Sequence, residues 1–193
     1  MSTFDAFRRA FGAPAAGTGR SPAGLGLAAS GGLAGFVAEV GGGLFRDGLL
    51  SVCSIREGDG SLAEWNAHLP AGARLFATGA FGFLFAAAGD AVWVVDPQHG
   101  EVVESDIPLR DIFDVLAEPA TRERFLRESL FEDWRELHGG TLGTCILCPS
   151  PAAALGGDWS LTSLQAMSLP VYLSFTAQLF GDTPAGQVEV RRL

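Results

Sequence analysis

The chain contains no lysine: all 13 of its basic residues are arginine, against 22 aspartate and glutamate residues, and its formal net charge is −9. Proteins that bind DNA or RNA normally carry a basic stripe or patch. Here the arginines are scattered, apart from the short cluster Arg122, Arg124 and Arg127. The charge therefore argues against a nucleic acid as ligand and mildly favours a basic protein as partner.

The lack of lysine also excludes a phosphate-binding loop of the G-x-x-x-x-G-K-[ST] type, so the glycine-rich stretches 41–43 and 79–82 predict turns and close strand packing. No run of 18 apolar residues predicts a membrane span. The segment 1–9 is not followed by an apolar run of signal-peptide length, because glycine and proline interrupt it. We therefore expect a cytoplasmic protein with no membrane partner.

Cysteine is scarce as well, with only Cys53, Cys145 and Cys148, and an odd count without an export signal fits a reducing compartment. Cys145 and Cys148 form a C-x-x-C motif, which is typical of a redox pair or half a zinc site. A structural zinc requires four ligands, and no second ligand pair is evident. A redox C-x-x-C is expected to open a helix, whereas this one precedes Pro149 in an extended context. We predict two small core residues, no metal and no cofactor, and keep the redox and zinc readings as the alternative.

The three histidines, His68, His99 and His138, are far apart, and no serine lies in a G-x-S-x-G elbow. Nothing in the sequence marks a nucleophile with its base. The chain is therefore predicted not to be an enzyme.

Helical spacing of Phe4, Phe7 and Phe11 predicts a short helix that Ser2 or Thr3 caps and Gly12 ends. A second helix is predicted over 27–40. Strands are then predicted over 49–55, 73–87, 92–95 and 101–103, with turns at 58–60, 89–90 and 96–100 and a helix capped by Ser61 that carries Leu62 and Trp65. Short strands joined by glycine turns indicate an antiparallel meander.

The second half of the chain is predicted to be mainly helical. A short helix is predicted over 109–116, one helix of about five turns over 119–138, with Glu123 and Arg127 as an i,i+4 pair, and a last helix over 170–180 that Gly181 caps. The predicted fold class is α+β: an antiparallel β-meander packed with helices, a long helix and a C-terminal helical part. A chain of 193 residues is expected to form one compact body.

Six carboxylates fall within one 18-residue window: Glu101, Glu104, Asp106, Asp111, Asp114 and Glu118. They predict either a solvated surface or a face that binds a basic partner; acid–base chemistry is a third, weaker reading. Asp158 and Trp159 follow two glycines in a predicted loop, where an exposed tryptophan would be a candidate interface anchor. Trp93 and Trp134 are predicted to be core residues.

The C-terminal part carries a series of motifs in a fixed order: Leu130-Phe-Glu132 and Trp134 before Gly139-Gly140, then Pro151-Ala-Ala-Ala-Leu-Gly-Gly157, Leu161 to Leu164-Gln165, and Val171-Tyr-Leu173 through Ala177-Gln178-Leu179. This order resembles the immunity proteins of type VI secretion effectors, which combine a GAD-like region with a C-terminal immunity domain. More weakly, Gly48-Leu49, Ala80-Phe-Gly82 and Asp96-Pro97 resemble the GAD-like region. Where the family often has an acidic residue and an aromatic pair before the signature, this chain has Gly143 to Cys148.

The resemblance implies a GAD-like region over 1–107 and an immunity-type region over 108–193. It also implies a non-enzymatic inhibitor that binds a cognate toxin in the producing cell, and several relatives neutralise DNase toxins. Because a nuclease site that holds phosphates is basic, an acidic surface could occupy it. The expected partner contacts are Glu101, Glu104, Asp106, Asp111, Asp114, Asp158 and Trp159.

Overall fold

The computed structural model of the protein describes residues 4–27, 31–57, 62 and 64–180. Six strands form one antiparallel sheet in chain order: β1 (Gly43–Phe45), β2 (Leu50–Val52), β3 (Arg74–Gly79), β4 (Leu84–Ala88), β5 (Ala91–Asp96) and β6 (Glu101–Ser105). Two more, β7 (Cys145–Pro149) and β8 (Leu164–Ser168), form a separate antiparallel ribbon. The helices are α1 (Asp5–Phe11), α2 (Gly31–Glu39), α3 (Ile112–Leu116), α4 (Pro119–Thr121), α5 (Glu128–His138) and α6 (Leu169–Phe180). The predicted α+β class with an antiparallel meander is confirmed.

The strands follow the glycine turns. Ala88 pairs with Ala91 and Asp96 with Glu101, so the predicted turns at 89–90 and 96–100 connect β4 to β5 and β5 to β6. The stretch 73–87, predicted as one strand, forms two strands instead, because the chain reverses at Gly82, whose φ is +83°. Strand β1 was not predicted, and β2 ends at Val52 because Cys53 takes a φ of 43°.

Both faces of the sheet are buried. Because side chains alternate along a strand, Phe85 and Ala87 of β4 join one core cluster while Leu84 and Ala86 join another. Helices α1, α2 and α3 cover the first face through phenylalanine contacts, such as Phe36 stacked on Phe113 at 3.7 Å between ring centroids.

Helix α6, Trp65 and the β7–β8 ribbon cover the second face. Trp134 is buried in the first cluster, as predicted, and Trp93 packs half-buried against the second. The first cluster contains residues from both sides of position 107, so the predicted division at 107/108 does not separate two cores. The division itself stays a prediction.

The prediction of one continuous helix over 119–138 is wrong. Helix α4 runs into a π-helical turn (Arg122–Leu126), and Arg127 then takes the left-handed conformation, with φ 48° and ψ 50°, before α5 begins. Glu123 forms no ion pair with Arg127, although its charge still acts on the Arg127 pKa; its carboxylate accepts hydrogen bonds from the Ser129 N–H at 3.0 Å and hydroxyl at 2.8 Å. The first turn of α5 is also fixed by Glu128, which forms ion pairs with Arg46 and Arg122. The bend lets α5 bury Phe131 and Trp134.

The signature 151–157 forms a tight loop between β7 and β8. The Gly157 N–H donates to the Ala152 carbonyl at 3.1 Å, and a Cβ on Gly157 would lie 1.7 Å from the Pro151 carbonyl oxygen. Only glycine therefore fits at this position. Strand β8, which follows, was not predicted.

Some predictions fall on residues that the structure does not describe: the caps at Ser2 or Thr3, Ser61 and Gly181, and the turn at 58–60. Beside Trp65 the chain forms a short 3-10 turn (Asn66–His68). Across the described ranges, every helix is too short or too polar to cross a membrane.

Candidate functional site

Strand β6 is one edge of the sheet and carries the first two carboxylates of the acidic window. Glu101 pairs with Asp96 and is exposed, whereas Glu104 pairs with Trp93 and is half-buried. The two carboxylates lie on opposite faces of the sheet, because they are three residues apart on one strand. Among the residues that the structure describes, no strand pairs with the outer edge of β6.

A groove of about 240 Å³ opens beside the start of β6. Its floor is apolar, and Asp96, Glu101 and Arg124 supply its charge; the apolar residues are Phe83, Val94, Val103 and Phe125. The Arg124 guanidinium carbon lies 5.0 Å from the centre of the Phe125 ring. The groove can therefore hold an apolar group flanked by charges of either sign.

Trp159 lies at the same end of the sheet as Glu101. Its ring meets the edge of Phe81, in the β3–β4 turn, at 5.8 Å between centroids, and the Arg127 guanidinium carbon lies 4.2 Å from its centre. Because antiparallel strands alternate in direction, the β3–β4 and β5–β6 turns share one end of the sheet. Trp159 is thus half-buried and held from both sides, and is not the fully exposed anchor that the loop context predicted.

Arg127 and Asp158 complete this end. Burial lowers the pKa of Arg127, and the charges of Asp96 and Glu123 oppose that shift. Asp158 is exposed, and its carboxylate accepts hydrogen bonds from the Ser160 hydroxyl at 2.6 Å and N–H at 3.0 Å. These bonds, with a further one from Ser163, lower the pKa of Asp158. Asp158 is therefore a fixed negative charge beside Trp159.

The remaining carboxylates lie elsewhere. Asp106 follows the far end of β6, roughly 16 Å along the strand from Glu101 at the usual rise per residue. Asp111 and Asp114 begin helix α3, and all three are exposed together with Glu118. Asp111 forms an exposed ion pair with Arg110 at 3.5 Å. The predicted contact residues are therefore divided between the two ends of the edge strand.

A buried charged pair, Arg56 and Glu57, supports the sheet end from inside and was not predicted. The Arg56 guanidinium donates to the carbonyls of Gly48 at 3.0 Å and Gly143 at 3.1 Å. Burial lowers the pKa of Arg56 to about 10 and raises the pKa of Glu57, which accepts hydrogen bonds from Ser51 and Ser54. The hydrogen bonds of both side chains hold loops together, so we interpret the role of the pair as structural.

Cys145 and Cys148 point to opposite sides of β7, since Cys145 packs against the first core cluster and Cys148 belongs to the second. Burial raises the pKa of Cys148, the reverse of what a reactive thiol requires. Burial and the charge of Glu57 raise the pKa of Cys53 to about 12. Over the described ranges, no three His, Cys, Asp or Glu residues are grouped for a metal ion. The arrangement of the two cysteines does not fit a shared metal or a redox pair.

Sequence reasoning missed Asp96, Arg124 and Arg127 as members of this site. The arginine cluster and Asp96-Pro97 were visible in the sequence, but only the fold brings them to the acidic end of the sheet.

No protein-family model matches the sequence, and no curated protein matches it. Among solved structures, the crystal structure of Atu4351 from Agrobacterium tumefaciens is similar, with a TM-score of 0.65 and 18% sequence identity. The match covers 91% of this chain and 88% of that chain. At this identity the likeness shows a shared fold.

Proposed function

We propose that the chain is a cytoplasmic immunity protein that binds and neutralises a cognate type VI secretion toxin of the nuclease class. The observation that carries the proposal is the set of exposed carboxylates at the two ends of β6 and on α3, in a chain of net charge −9. The order of motifs between Leu130 and Leu179, which resembles the immunity family, supports the same reading.

The inhibition is steric and electrostatic. A nuclease domain that holds phosphates presents a basic cleft, and carboxylates at both ends of the β6 edge would occupy the positions of phosphates. Such charge complementarity speeds association by about tenfold or more and weakens with salt. Trp159, held between Phe81 and Arg127, supplies a rigid aromatic surface beside the charges.

The test uses the full chain and the toxin encoded beside it. The two proteins are co-expressed, with a catalytically dead toxin for purification and an active toxin for growth. Co-purification as a stable complex, restored growth and loss of DNA cleavage by the purified toxin are expected. The absence of both a complex and rescue would contradict the proposal. Rescue without a direct complex would contradict occlusion.

The positions of Cys145 and Cys148 do not support the alternative of a redox or zinc protein. It requires that substitution of either cysteine by serine removes rescue, whereas the proposal requires that rescue survives.

A further inference from the structure

The two edges of the six-stranded sheet differ in how they are covered. The loop after α1 covers β1: the Ala15 N–H donates to the Leu44 carbonyl at 2.8 Å, and the Leu44 N–H donates to the Thr18 hydroxyl at 3.0 Å. Among the described residues, none forms a hydrogen bond with the outer side of β6. Alternate N–H and C=O groups of β6 therefore point away from the sheet without a partner from this part of the chain.

Strand β6 is also regular, which suits it to pairing with a further strand. Native sheets protect an edge with proline, a bulge, a covering loop or charged side chains. The five residues Glu101–Ser105 include no proline and pair with β5 one by one, without a bulge. The carboxylates of Glu101 and Glu104 protect this edge instead. Such an edge can accept an extended segment whose charge matches it.

The charge of the edge distinguishes between the possible occupants. Glu101, Glu104 and Asp106 are acidic, and no basic residue lies between positions 100 and 107. A second copy of β6 would bring a second set of carboxylates against the first, which is unfavourable across a strand pair. A segment that carries lysine or arginine would be attracted to the same positions. The edge therefore favours a basic partner over a second copy of this chain.

The groove described above adds an apolar position to this edge. Val103 and Glu101 lie on the face with the groove, whereas Glu104 lies on the opposite face beside Trp93. Neighbouring strands lie about 4.8 Å apart, so a docked residue opposite Val103 would place its side chain in the groove. A cavity of about 150 Å³ accepts benzene, so a groove of about 240 Å³ has room for one apolar side chain. The residues on either side of that one would face Glu104 or lie beside it.

We infer that the outer edge of β6 binds an extended segment of the toxin, which adds a seventh strand to the sheet. One apolar side chain of the segment lies in the groove beside Val103, and its basic side chains pair with Glu101 and Glu104. This inference rests on the proposed function, because the segment belongs to the toxin.

The test measures hydrogen exchange of the backbone amides by NMR. The isotope-labelled full chain is examined alone and in complex with the unlabelled, catalytically dead toxin encoded beside it. In the free chain, the amides either of 101, 103 and 105 or of 102 and 104 should exchange fast, because they point outward. In the complex, exchange of these same amides is expected to slow by at least about tenfold, since each gains a partner.

A proline variant tests the backbone pairing directly. Proline replaces Val103 if its amide exchanges fast in the free chain, and Glu104 otherwise, because proline at an outward position leaves the bonds between β5 and β6 intact. Val103→Ala or Glu104→Ala is the matched control, which changes the same side chain and keeps the N–H. Relative to alanine, proline is expected to weaken toxin binding about 2- to 10-fold, the effect of one hydrogen bond. Urea unfolding checks that the variants fold, and the exchange measurement on the native chain decides if they do not.

The outcomes separate this inference from the proposed function. A complex in which the outward amides of β6 keep their free exchange rates would overturn the inference and leave the proposed function standing. Equal affinity of folded proline and alanine variants would do the same. The absence of a complex would overturn both. Slow exchange at every β6 amide of the chain without toxin would show that the edge already has an occupant, and would also overturn the inference.

Discussion

The guanidinium carbon of Arg127 lies 4.2 Å from the centre of the Trp159 indole ring, although the two residues belong to different parts of the chain. Arg127 reaches this position from a left-handed backbone conformation, with φ 48°, at the break between the π-helical turn and α5. The break thereby fastens the loop that follows the signature to the end of the sheet where Glu101 and Asp96 lie.

The left-handed backbone at position 127 predicts an inverted order of stability for substitutions. Arg127→Gly and Arg127→Ala both lose the stacking contact, but only glycine avoids the steric cost of this conformation. The glycine variant should therefore be more stable by about 1 kcal/mol in urea unfolding followed by tryptophan fluorescence.

Arg124 provides the control, because it lies within the preceding helical turn. There the alanine variant should be more stable than the glycine variant by about 0.5–1 kcal/mol. The same order at both positions would contradict the backbone break.

How far the sequence predicts the fold depends on how local each feature is. The β4–β5 hairpin was predictable because Gly89-Asp90 supplies the turn at that point. The break at Arg127 was not, because arginine rarely takes a left-handed conformation; the contacts of Glu128 with Arg46 and of Arg127 with Trp159 are made by distant parts of the chain. Strand β8 depends on pairing with β7 and is half exposed, so no apolar pattern marks it.

The candidate site, like the fold, has features that the sequence predicts and features that it does not. The carboxylates of the acidic window are visible as composition, but their separation to two ends of β6 follows from the strand order. The groove beside Val103 forms only because the β5–β6 hairpin and the π-helical turn meet, and no local sequence pattern marks that meeting.

Charge reversal on the β6 edge should slow association with the toxin. In the variant Glu101→Lys/Asp106→Lys, the rate constant for association is expected to fall by about tenfold or more at low salt. The difference should narrow as salt screens the charges. Stopped-flow or surface binding kinetics across a salt series measure it.

The matched control is Asp133→Lys/Glu136→Lys on α5, which reverses two exposed carboxylates and changes the net charge equally. An equal decrease in both variants would show that net charge, and not the β6 edge, governs association.

Two glycine-to-alanine substitutions, one in the signature loop and one in α2, are predicted to have opposite effects on stability. In Gly157→Ala the new methyl group would lie 1.7 Å from the Pro151 carbonyl oxygen, so the loop must shift. We expect a loss of at least about 2 kcal/mol in the free energy of unfolding. Gly35→Ala in α2 meets no atom within 4 Å and should stabilise the protein by about 0.5–1 kcal/mol. Destabilisation by both would indicate that α2 is not a helix at Gly35.

Thiol labelling tests the cysteine assignment. At pH 8, Cys53 and Cys148 should react with a disulfide reagent only as fast as the protein unfolds, since burial raises the pKa of both thiols. Cys145 is half-buried and should react first. Cys145→Ser should therefore remove the fast phase. Two fast thiols, or one equivalent of zinc by elemental analysis, would restore the redox or zinc alternative.

Buried Glu57 predicts a pH dependence of stability. Burial raises the pKa of Glu57 in the folded protein, so the folded state binds this proton more tightly than the unfolded chain does. The resulting stabilisation is complete below the unfolded pKa and is lost as pH rises through the folded pKa, by about 1.4 kcal/mol for each unit between the two.

Between pH 4.5, the ordinary pKa of a glutamate side chain, and pH 8, the free energy of unfolding of the native chain should therefore fall relative to that of Glu57→Gln. Urea unfolding across this range measures the difference. Glu118→Gln is the matched control for the loss of one carboxylate; a curve for Glu57→Gln that runs parallel to that of the native chain would contradict the shift.

The packing of α1 on α3 has a consequence for synthesis on the ribosome. The rings of Phe4 and Phe7 pack against Phe113, with 6.1 and 5.7 Å between ring centroids. Phe113 is translated more than a hundred residues later. At usual elongation rates, the phenylalanine face of α1 stays without this cover for about 5–20 s. Nascent chains that end before Ile112 should therefore recruit chaperones or aggregate, and those that extend past Leu116 should do so less.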